Sequence, residues 1–480
     1  MLRETVKGSV WMSASWFIVK LLSVVYMAFL ARQLGPTGLG TFSIALLLTP
    51  WFIMFSSLSL QTVGTHFVSQ FRAAKKDMGS LIKSIFLLTF GLGGIATVLH
   101  FLAAPFAATY FFHDASLTPY LQLGSFVILL SVVYYGYIGI VRGFKRFYLY
   151  ATLDVLKEVF LVGLGFLLVG YFGMSVMGAL LAVLGSHVVL LFFRPAPGVN
   201  WITKKHAPLK PLMVSSLWFT SIGLLLSFFT TLDRFLLGFL QSKAALGLYV
   251  SALGIVNMGM FFASSVKNAM LPVLSEHLTK KKKLTDPVFA HYIHKLLSYG
   301  MIVAGLFIMF VITYRVEILS LIFGSDYLAA APYLAIMIFA LLFMTLYLLA
   351  HTLMISLDRM HQASVMCIVV LLLSTILFYV MIRTFGVVGA AYGLVFSYVL
   401  LDIGYYFFVF RDLTFRKGSL GFLLFLTLAA ASCTFFLPMA FVQRTFFFAV
   451  LTGGYLALLF VLNYVGFREF QVLLTKLLRR

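Results

Sequence analysis

Apolar runs of twenty or more residues recur from one end of the chain to the other, separated by short polar segments. A helix of about twenty apolar residues crosses the roughly 30 Å hydrocarbon core of a bilayer. Strands of a membrane barrel would instead alternate apolar and polar residues over segments of about ten, and that alternation is absent. The runs therefore read as helical spans, at roughly 9–31, 41–69, 82–104, 120–141, 151–170, 173–193, 213–240, 249–272, 295–314, 332–356, 364–383, 386–410, 420–440 and 444–465. Composition agrees. The chain is 62% hydrophobic and 10% charged, whereas a soluble domain is about half apolar and a quarter charged. Arg3 and Lys7 precede the first run, which extends to about Ala31. That is too long for a signal-peptide core, so it reads as a permanent span.

The placement of charge tests this count. Cytoplasmic loops of membrane proteins collect Lys and Arg. With the N-terminus inside, the segments on the cytoplasmic side hold 24 of the 35 Lys and Arg, the outer loops hold three, and the rest fall within spans, mostly near their ends. Basic groups fall at Arg72, Lys75 and Lys76, at Arg142, Lys145 and Arg146, at Arg194, Lys204 and Lys205, at Lys280 to Lys283, and at Arg411, Arg416, Arg479 and Arg480. Every second loop is basic. One missed span would invert the pattern after it, so the charges predict fourteen spans with both ends cytoplasmic. Topology and anionic headgroups account for the net charge of +21, and no nucleic-acid partner is required.

The chain also repeats itself. Phe172-Gly173 followed by Met177-Gly178-Ala179 matches Phe385-Gly386 followed by Val388-Gly389-Ala390. Pro119-Tyr120-Leu121 matches Pro332-Tyr333-Leu334, and Arg146 matches Arg359, all 213 residues apart. Nearer the front, Gly38-Leu39-Gly40-Thr41-Phe42 resembles Ala245-Leu246-Gly247-Leu248-Tyr249 at an offset of 207. Six spans separate the matches, and an even number gives repeats of the same orientation. The expected fold is an all-α polytopic membrane protein with two parallel six-helix lobes, residues 1–203 and 204–412. An added helix pair and basic tail follow at 413–480. Two such lobes around a central cavity suit alternating access, although a duplication also serves a large scaffold.

Ionisable groups inside the spans are the candidate site. Lys20 lies at the centre of the first span, where a Lys costs about 2.5–3.5 kcal/mol on insertion scales. Ser9, Ser13, Trp16, Lys20, Ser23 and Met27 share one helix face through 3- and 4-residue spacings. Such a stripe reads as a cationic lining for an anionic substrate, or as a buried Lys paired with a carboxylate. Ser59, Thr62, His66 and Ser69 form a polar face on the second span. Ser216, Thr220, Ser227 and Thr230 do so on the seventh, leading to Asp233-Arg234, which read as substrate contacts or as an interfacial ion pair. Adjacent residues point about 100° apart and need not pair with each other. Asn257, Ser264 and Asn268 share a face of the eighth span, with Lys267 beside it. Asp154, Lys157 and Glu158 are spaced to neutralise one another. Asp402 has no partner evident in the sequence and is a candidate ion-coupling residue.

Cys367 and Cys433 both lie in apolar spans and build neither a disulfide framework nor a metal site. No Gly-rich phosphate loop is present, no cofactor pattern appears, and the longest outer loops, 105–119 and 315–331, are too short to hold a catalytic domain.

Ala31-Arg32-Gln33-Leu34-Gly35-Pro36-Thr37-Gly38-Leu39-Gly40-Thr41-Phe42 resembles the stretch between the first two spans of the polysaccharide-flippase family. That family lies in the multidrug/oligosaccharidyl-lipid/polysaccharide exporter superfamily. Asp233-Arg234-Phe235-Leu236-Leu237-Gly238, Ala245 to Tyr249, Leu271-Pro272-Val273-Leu274-Ser275 and Gly386 to Gly393 are similar to later family segments, and the likeness runs over roughly residues 5–410. It implies a flippase in the cytoplasmic membrane for a polyprenyl-diphosphate-linked oligosaccharide or similar anionic lipid, with Lys20, and then Arg234, Arg32 and Lys267, meeting the diphosphate. Glycan polymerases or glycosyltransferases are the implied partners, and the fourteen spans resemble the lipid II flippase branch. A cation-coupled drug or metabolite exporter and a non-transporting scaffold of a glycan-assembly complex are the other readings.

Overall fold

Glycine and proline decide where the longest helices turn back. The computed structural model describes residues 2–192, 199, 207, 209–279, 287–356, 359–408, 417–435 and 441–461. Arg194, Lys204, Lys205, Lys280 to Lys283, Arg411, Arg416 and the tail lie outside the described residues. Among the described residues nothing is strand. The α-helices are α1 (Leu2–Leu47), α2 (Thr49–Ser57), α3 (Leu60–Ala73), α4 (Met78–Phe106), α5 (Thr118–Gly143), α6 (Phe147–Gly165), α7 (Ser175–Ser186) and α8 (Leu209–Leu240). They continue with α9 (Lys243–Thr279), α10 (Pro287–Thr313), α11 (Arg315–Ile322), α12 (Ala331–Met337), α13 (Ala340–Ser356), α14 (Met360–Phe408), α15 (Lys417–Phe435) and α16 (Phe441–Val461).

Eight helical segments among the described residues are long and apolar enough to cross a membrane. The count is nine when Ser325–Met337 and Ala340–Met354, which meet at 51°, form one bent span. The chain is a multi-pass membrane protein. At 46 and 49 residues, α1 and α14 would each reach about 70 Å if straight, over twice the hydrocarbon core. Each is broken at a glycine in the left-handed region, Gly35 (φ 65°) and Gly386 (φ 58°). The sequence suggested a non-helical connection at 32–40. Instead the helix runs up to Gly35 and restarts at Pro36, because a fixed proline φ suits the first helical position and glycine accepts the reversal before it.

One break carries no glycine. The second span is interrupted at Leu58 (φ 47°) and Ser59 (φ 50°), both left-handed, which separates α2 from α3. The expectation of one continuous helix over 41–69 is corrected here. Neither residue type is a helix breaker, so periodicity alone did not mark the site.

Positions 213 residues apart share local backbone geometry. Arg146 N–H donates to Val141 O (3.1 Å), and Arg359 N–H donates to Met354 O (3.0 Å). The next turns start alike, with Tyr150 N–H to Arg146 O (3.0 Å) and Ala363 N–H to Arg359 O (3.1 Å). Pro119 and Pro332 both sit in the first turn of a helix. Gly173 (φ 64°) and Gly386 (φ 58°) both take the left-handed turn. Every one of these pairs is related by the sequence offset.

The chain forms two compact units. The first comprises Met1–Gly254, Ile322–Ala329 and Cys367–Ala390; the second comprises Ile255–Leu321, Ala330–Met366 and Ala391–Arg480. Lipid gives no hydrophobic force between helices, so close packing and hydroxyl bonds hold them. In the first unit α5 is sandwiched by α3 and α4. Thr65 Oγ1 donates to Gln61 O within α3 and lies 3.2 Å from Gly139 O on α5. Ile82, Ile85, Val132, Ile138 and Val141 are buried there. In the same unit α1 lies along α6 and α7, and Tyr26 donates to Ala179 O (3.1 Å). In the second unit α10 packs against α13, α15 and α16. Thr427 and Tyr455 hydrogen-bond there at 3.0 Å, linking α15 to α16. Asp77 caps α4 by accepting from Gly79 N–H (3.0 Å), as N-terminal acceptors do.

Candidate functional site

The stripe on α1 is not uniform. Its flank toward α6 is committed to packing: Ser23 donates to Glu158 Oε1 at 2.5 Å, and Glu158 is 7% exposed. One turn earlier Lys20 is exposed. Its ammonium lies 5.7 Å from the centroid of the Trp16 ring, and no carboxylate among the described residues pairs with it. Ser13 belongs to α1 by its backbone, but its side chain lies outside the described residues.

The acidic residues of α6 behave differently from their spacing. Asp154 accepts from Tyr134 (2.5 Å) and also hydrogen-bonds with Tyr150. Glu158 is taken by Ser23. Lys157 instead places its ammonium 5.2 Å from the Tyr134 ring centroid. The expected neutralisation among Asp154, Lys157 and Glu158 is therefore not formed. Hydroxyls from α1, α5 and the start of α6 satisfy the carboxylates, and the aromatic face holds the cation.

On the second span Ser69 donates to Gly143 O (3.3 Å), and Ser59 accepts from Thr220 of α8 (3.4 Å). Thr62 and His66 remain exposed, with His66 Nε2 2.8 Å from Gln70 Nε2. Arg32 is exposed and donates from Nε to Ile322 O (3.2 Å), the last residue of α11. A cation there meets the partial negative charge of a helix C-terminus.

Asp233 is 2% exposed and accepts from Tyr249 Oη (2.8 Å). Arg234 bends back, with Nε 3.6 Å from Asp233 Oδ1 and Nη2 donating to Thr230 O (2.7 Å). The two neighbours do pair, because the long guanidinium arm recovers the angle that their Cβ atoms lose.

The second unit holds the remaining candidates. Asn257 is exposed, Lys267 is half-buried near His351, and the side chain of Asn268 lies outside the described residues. Both carboxyl oxygens of Asp402 are buried without a hydrogen-bond partner. Tyr405, three residues on, is fully buried with its hydroxyl 2.7 Å from His351 Nδ1. The Tyr347 ring lies 5.6 Å from the rings of both. The sequence reading passed over this aromatic and histidine cluster; its only signal was a lone His in an apolar run. Among the described residues no group of three His, Cys, Asp or Glu is placed to hold a metal ion.

Among the described residues the arrangement offers an exposed cation, Lys20, that no carboxylate pairs, several cations already committed to carbonyls or carboxylates, and an unpartnered carboxyl at Asp402. These are groups that bind and release charge, and they form no set of nucleophile, base and oxyanion donors.

The fold is similar to those of two solved membrane proteins. The lipid II flippase MurJ in its inward closed conformation superposes with a TM-score of 0.74 at 15% identity, covering 93% of this chain and 98% of that one. An inward-facing multidrug resistance MATE family transporter of the MOP superfamily gives 0.69 at 15% identity, covering 84% and 95%. Among relatives in sequence, a probable low-salt glycan biosynthesis flippase of Haloferax volcanii, Agl15, is 22% identical over 292 residues. That match spans 59% of this chain and 60% of the relative. The family model described as polysaccharide biosynthesis protein matches residues 5–278, more than half of the chain. The chain belongs to the polysaccharide biosynthesis protein family.

Proposed function

We propose that this protein moves a polyprenyl-diphosphate-linked oligosaccharide, or a similar anionic saccharide lipid, across the cytoplasmic membrane by alternating access. The observation that carries the reading is the family membership taken with Lys20, an exposed ammonium within a span that no described carboxylate neutralises. A diphosphate is the ligand chemistry such a group selects, and the cost of holding a charge at that depth is recovered when the anion arrives. Arg32, His66, Asp233, Arg234, Asn257, Lys267 and Asn268 are the further contacts of the proposed path, with Ser13, Trp16 and Ser23 on the stripe of Lys20.

The proposed topology has fourteen spans with both ends cytoplasmic, in lobes at 1–203 and 204–412 plus the helix pair and tail at 413–480. Glycosyltransferases or a glycan polymerase would supply and consume the cargo.

The test is reconstitution. Lys20→Ala should reduce the movement of a labelled polyprenyl-diphosphate disaccharide in proteoliposomes by tenfold or so, with Lys20→Arg restoring most of it. Wild-type movement by Lys20→Ala would end the assignment of that residue. The likeness to MATE transporters supports a second reading, a cation-coupled exporter, with Asp402 as its coupling residue. Drug tolerance on overexpression, without a glycan defect on deletion, would favour it.

A further inference from the structure

Two glycines that the repeat makes equivalent face each other in the first unit. A Cβ on Gly40 would overlap the carbonyl oxygen of Lys243 and lie 3.2 Å from the amide nitrogen of Gly247. A Cβ on Gly247 would overlap the carbonyl oxygen of Pro36 and lie 3.1 Å from the amide nitrogen of Gly40. Pro36 and Lys243 are themselves 207 residues apart, as are Gly40 and Gly247. The second half of α1 and the start of α9 therefore cross backbone to backbone in a reciprocal contact, each glycine receiving the carbonyl four residues before the other. Only small residues allow such an approach.

The bonds around this crossing join the same two repeats. Lys243 forms an ion pair with Asp114, with both side chains about one-third exposed. Arg32 donates to Ile322 O (3.2 Å), and Tyr327 donates to Ala31 O (3.1 Å). The first repeat is held internally in another way, by apolar clusters around Ile82, Ile85 and Leu88 and around Ile128 and Val132. At the crossing itself, backbone meets backbone, and the ties around it are an ion pair, two bonds to carbonyls and the ring contacts of Phe112 with Phe235 (6.4 Å) and of His113 with Phe239 (5.5 Å).

We propose that the Gly40–Gly247 crossing is a gate on the transport path, with Asp114 and Lys243 as its latch: the repeats separate along it when cargo passes and close on it afterwards. The proposal rests on the transport reading and names the moving contact within it. The face concerned carries Gly35, Asp114 and Ser242, which is extracytoplasmic in the proposed topology.

The experiment uses full-length protein in lipid nanodiscs and proteoliposomes, with Cys367→Ala and Cys433→Ser as background. Spin labels are attached at Thr37→Cys and Ser242→Cys, both exposed positions, and their separation is measured by pulsed electron resonance. Two populations are expected, one short and one long. Adding Gly40→Leu with Gly247→Leu should deplete the short one by roughly tenfold or more. In a second preparation, Asp114→Cys and Lys243→Cys are bridged by a cleavable thiol reagent. Movement of a fluorescent polyprenyl-diphosphate disaccharide should stop on bridging and resume on cleavage. A single short distance that survives the leucines, or full movement in the bridged protein, would overturn the gate. If no saccharide lipid moves in any sample while the two populations and the leucine shift persist, the gate stands and the cargo assignment fails.

Discussion

The hydroxyl of Ser23 donates a 2.5 Å hydrogen bond to Glu158, while Lys20, one turn away on the same helix, reaches no carboxylate. The seam between α1 and α6 thus fills its acceptor from the neutral side chain and leaves the cation outside. Ser23→Ala should lower stability by about 0.6–2 kcal/mol, the range for hydrogen bonds between membrane helices. Lys20→Ala should leave it unchanged. Thermal unfolding of the two variants in one detergent checks this, and a large loss for Lys20→Ala would show a structural ion pair after all.

Asp233 is the hub of a second network, accepting from Tyr249 and facing Arg234. Asp233→Ala strands both partners and should cost about 1–3 kcal/mol. Tyr249→Phe removes one bond and should cost less, about 1 kcal/mol. An equal cost for both would mean that the guanidinium adds nothing, and the same unfolding series reads it out.

The pair at Asp114 and Lys243 has a defined pH signature. The hydrogen bond from Lys243, followed by that from Ser116, pulls the Asp114 carboxyl down to about 2 from the ordinary 3.8. A group whose folded pKa is depressed contributes its full stability above the unfolded value and loses it as pH falls through the folded one. The contribution is therefore constant above about pH 5 and disappears between roughly pH 4 and 2. Because both partners are partly exposed, its size is that of a surface pair, about 0–1 kcal/mol, and salt reduces it. Melting curves of wild type and Asp114→Asn should converge as pH drops toward 2 and stay apart at pH 6.

Asp402 has two buried oxygens and no donor. Asp402→Asn and Asp402→Leu break no hydrogen bond, so both should fold with melting temperatures within a few degrees of wild type. If the residue couples an ion, both should lose the dependence of transport on an imposed proton or sodium gradient while retaining gradient-free exchange. A gradient response left intact in both variants would dismiss it.

How much of this was legible in the sequence depended on whether the cause was local. The turns at Gly35, Gly173 and Gly386 were readable because each glycine stands at the seam of two apolar runs, where a residue free to take positive φ lets the helix break. The duplication was readable because the same turns demand the same residues at the same spacing, as at Arg146 and Arg359. The partners of Asp154 and Glu158 were not fully readable. Tyr134 and Ser23 come from other helices, 20 and 135 residues away, and no helical period encodes them. The exposure of Lys20 was readable only as a deficit of membrane carboxylates. The break at Leu58 and Ser59 gave no sign, since the left-handed region runs against the preferences of both residue types.

That break has an electrical consequence. A continuous span delivers the two ends of its backbone dipole to opposite headgroup layers, where water and counterions absorb them. In the proposed topology α2 ends and α3 begins within the second span, which would set a partial negative and a partial positive pole inside the low-dielectric slab. Their fields extend much farther there than at the surface. An anion crossing beside this helix would meet a fixed pattern of attraction and repulsion written by peptide groups alone, at residues with no charged side chain.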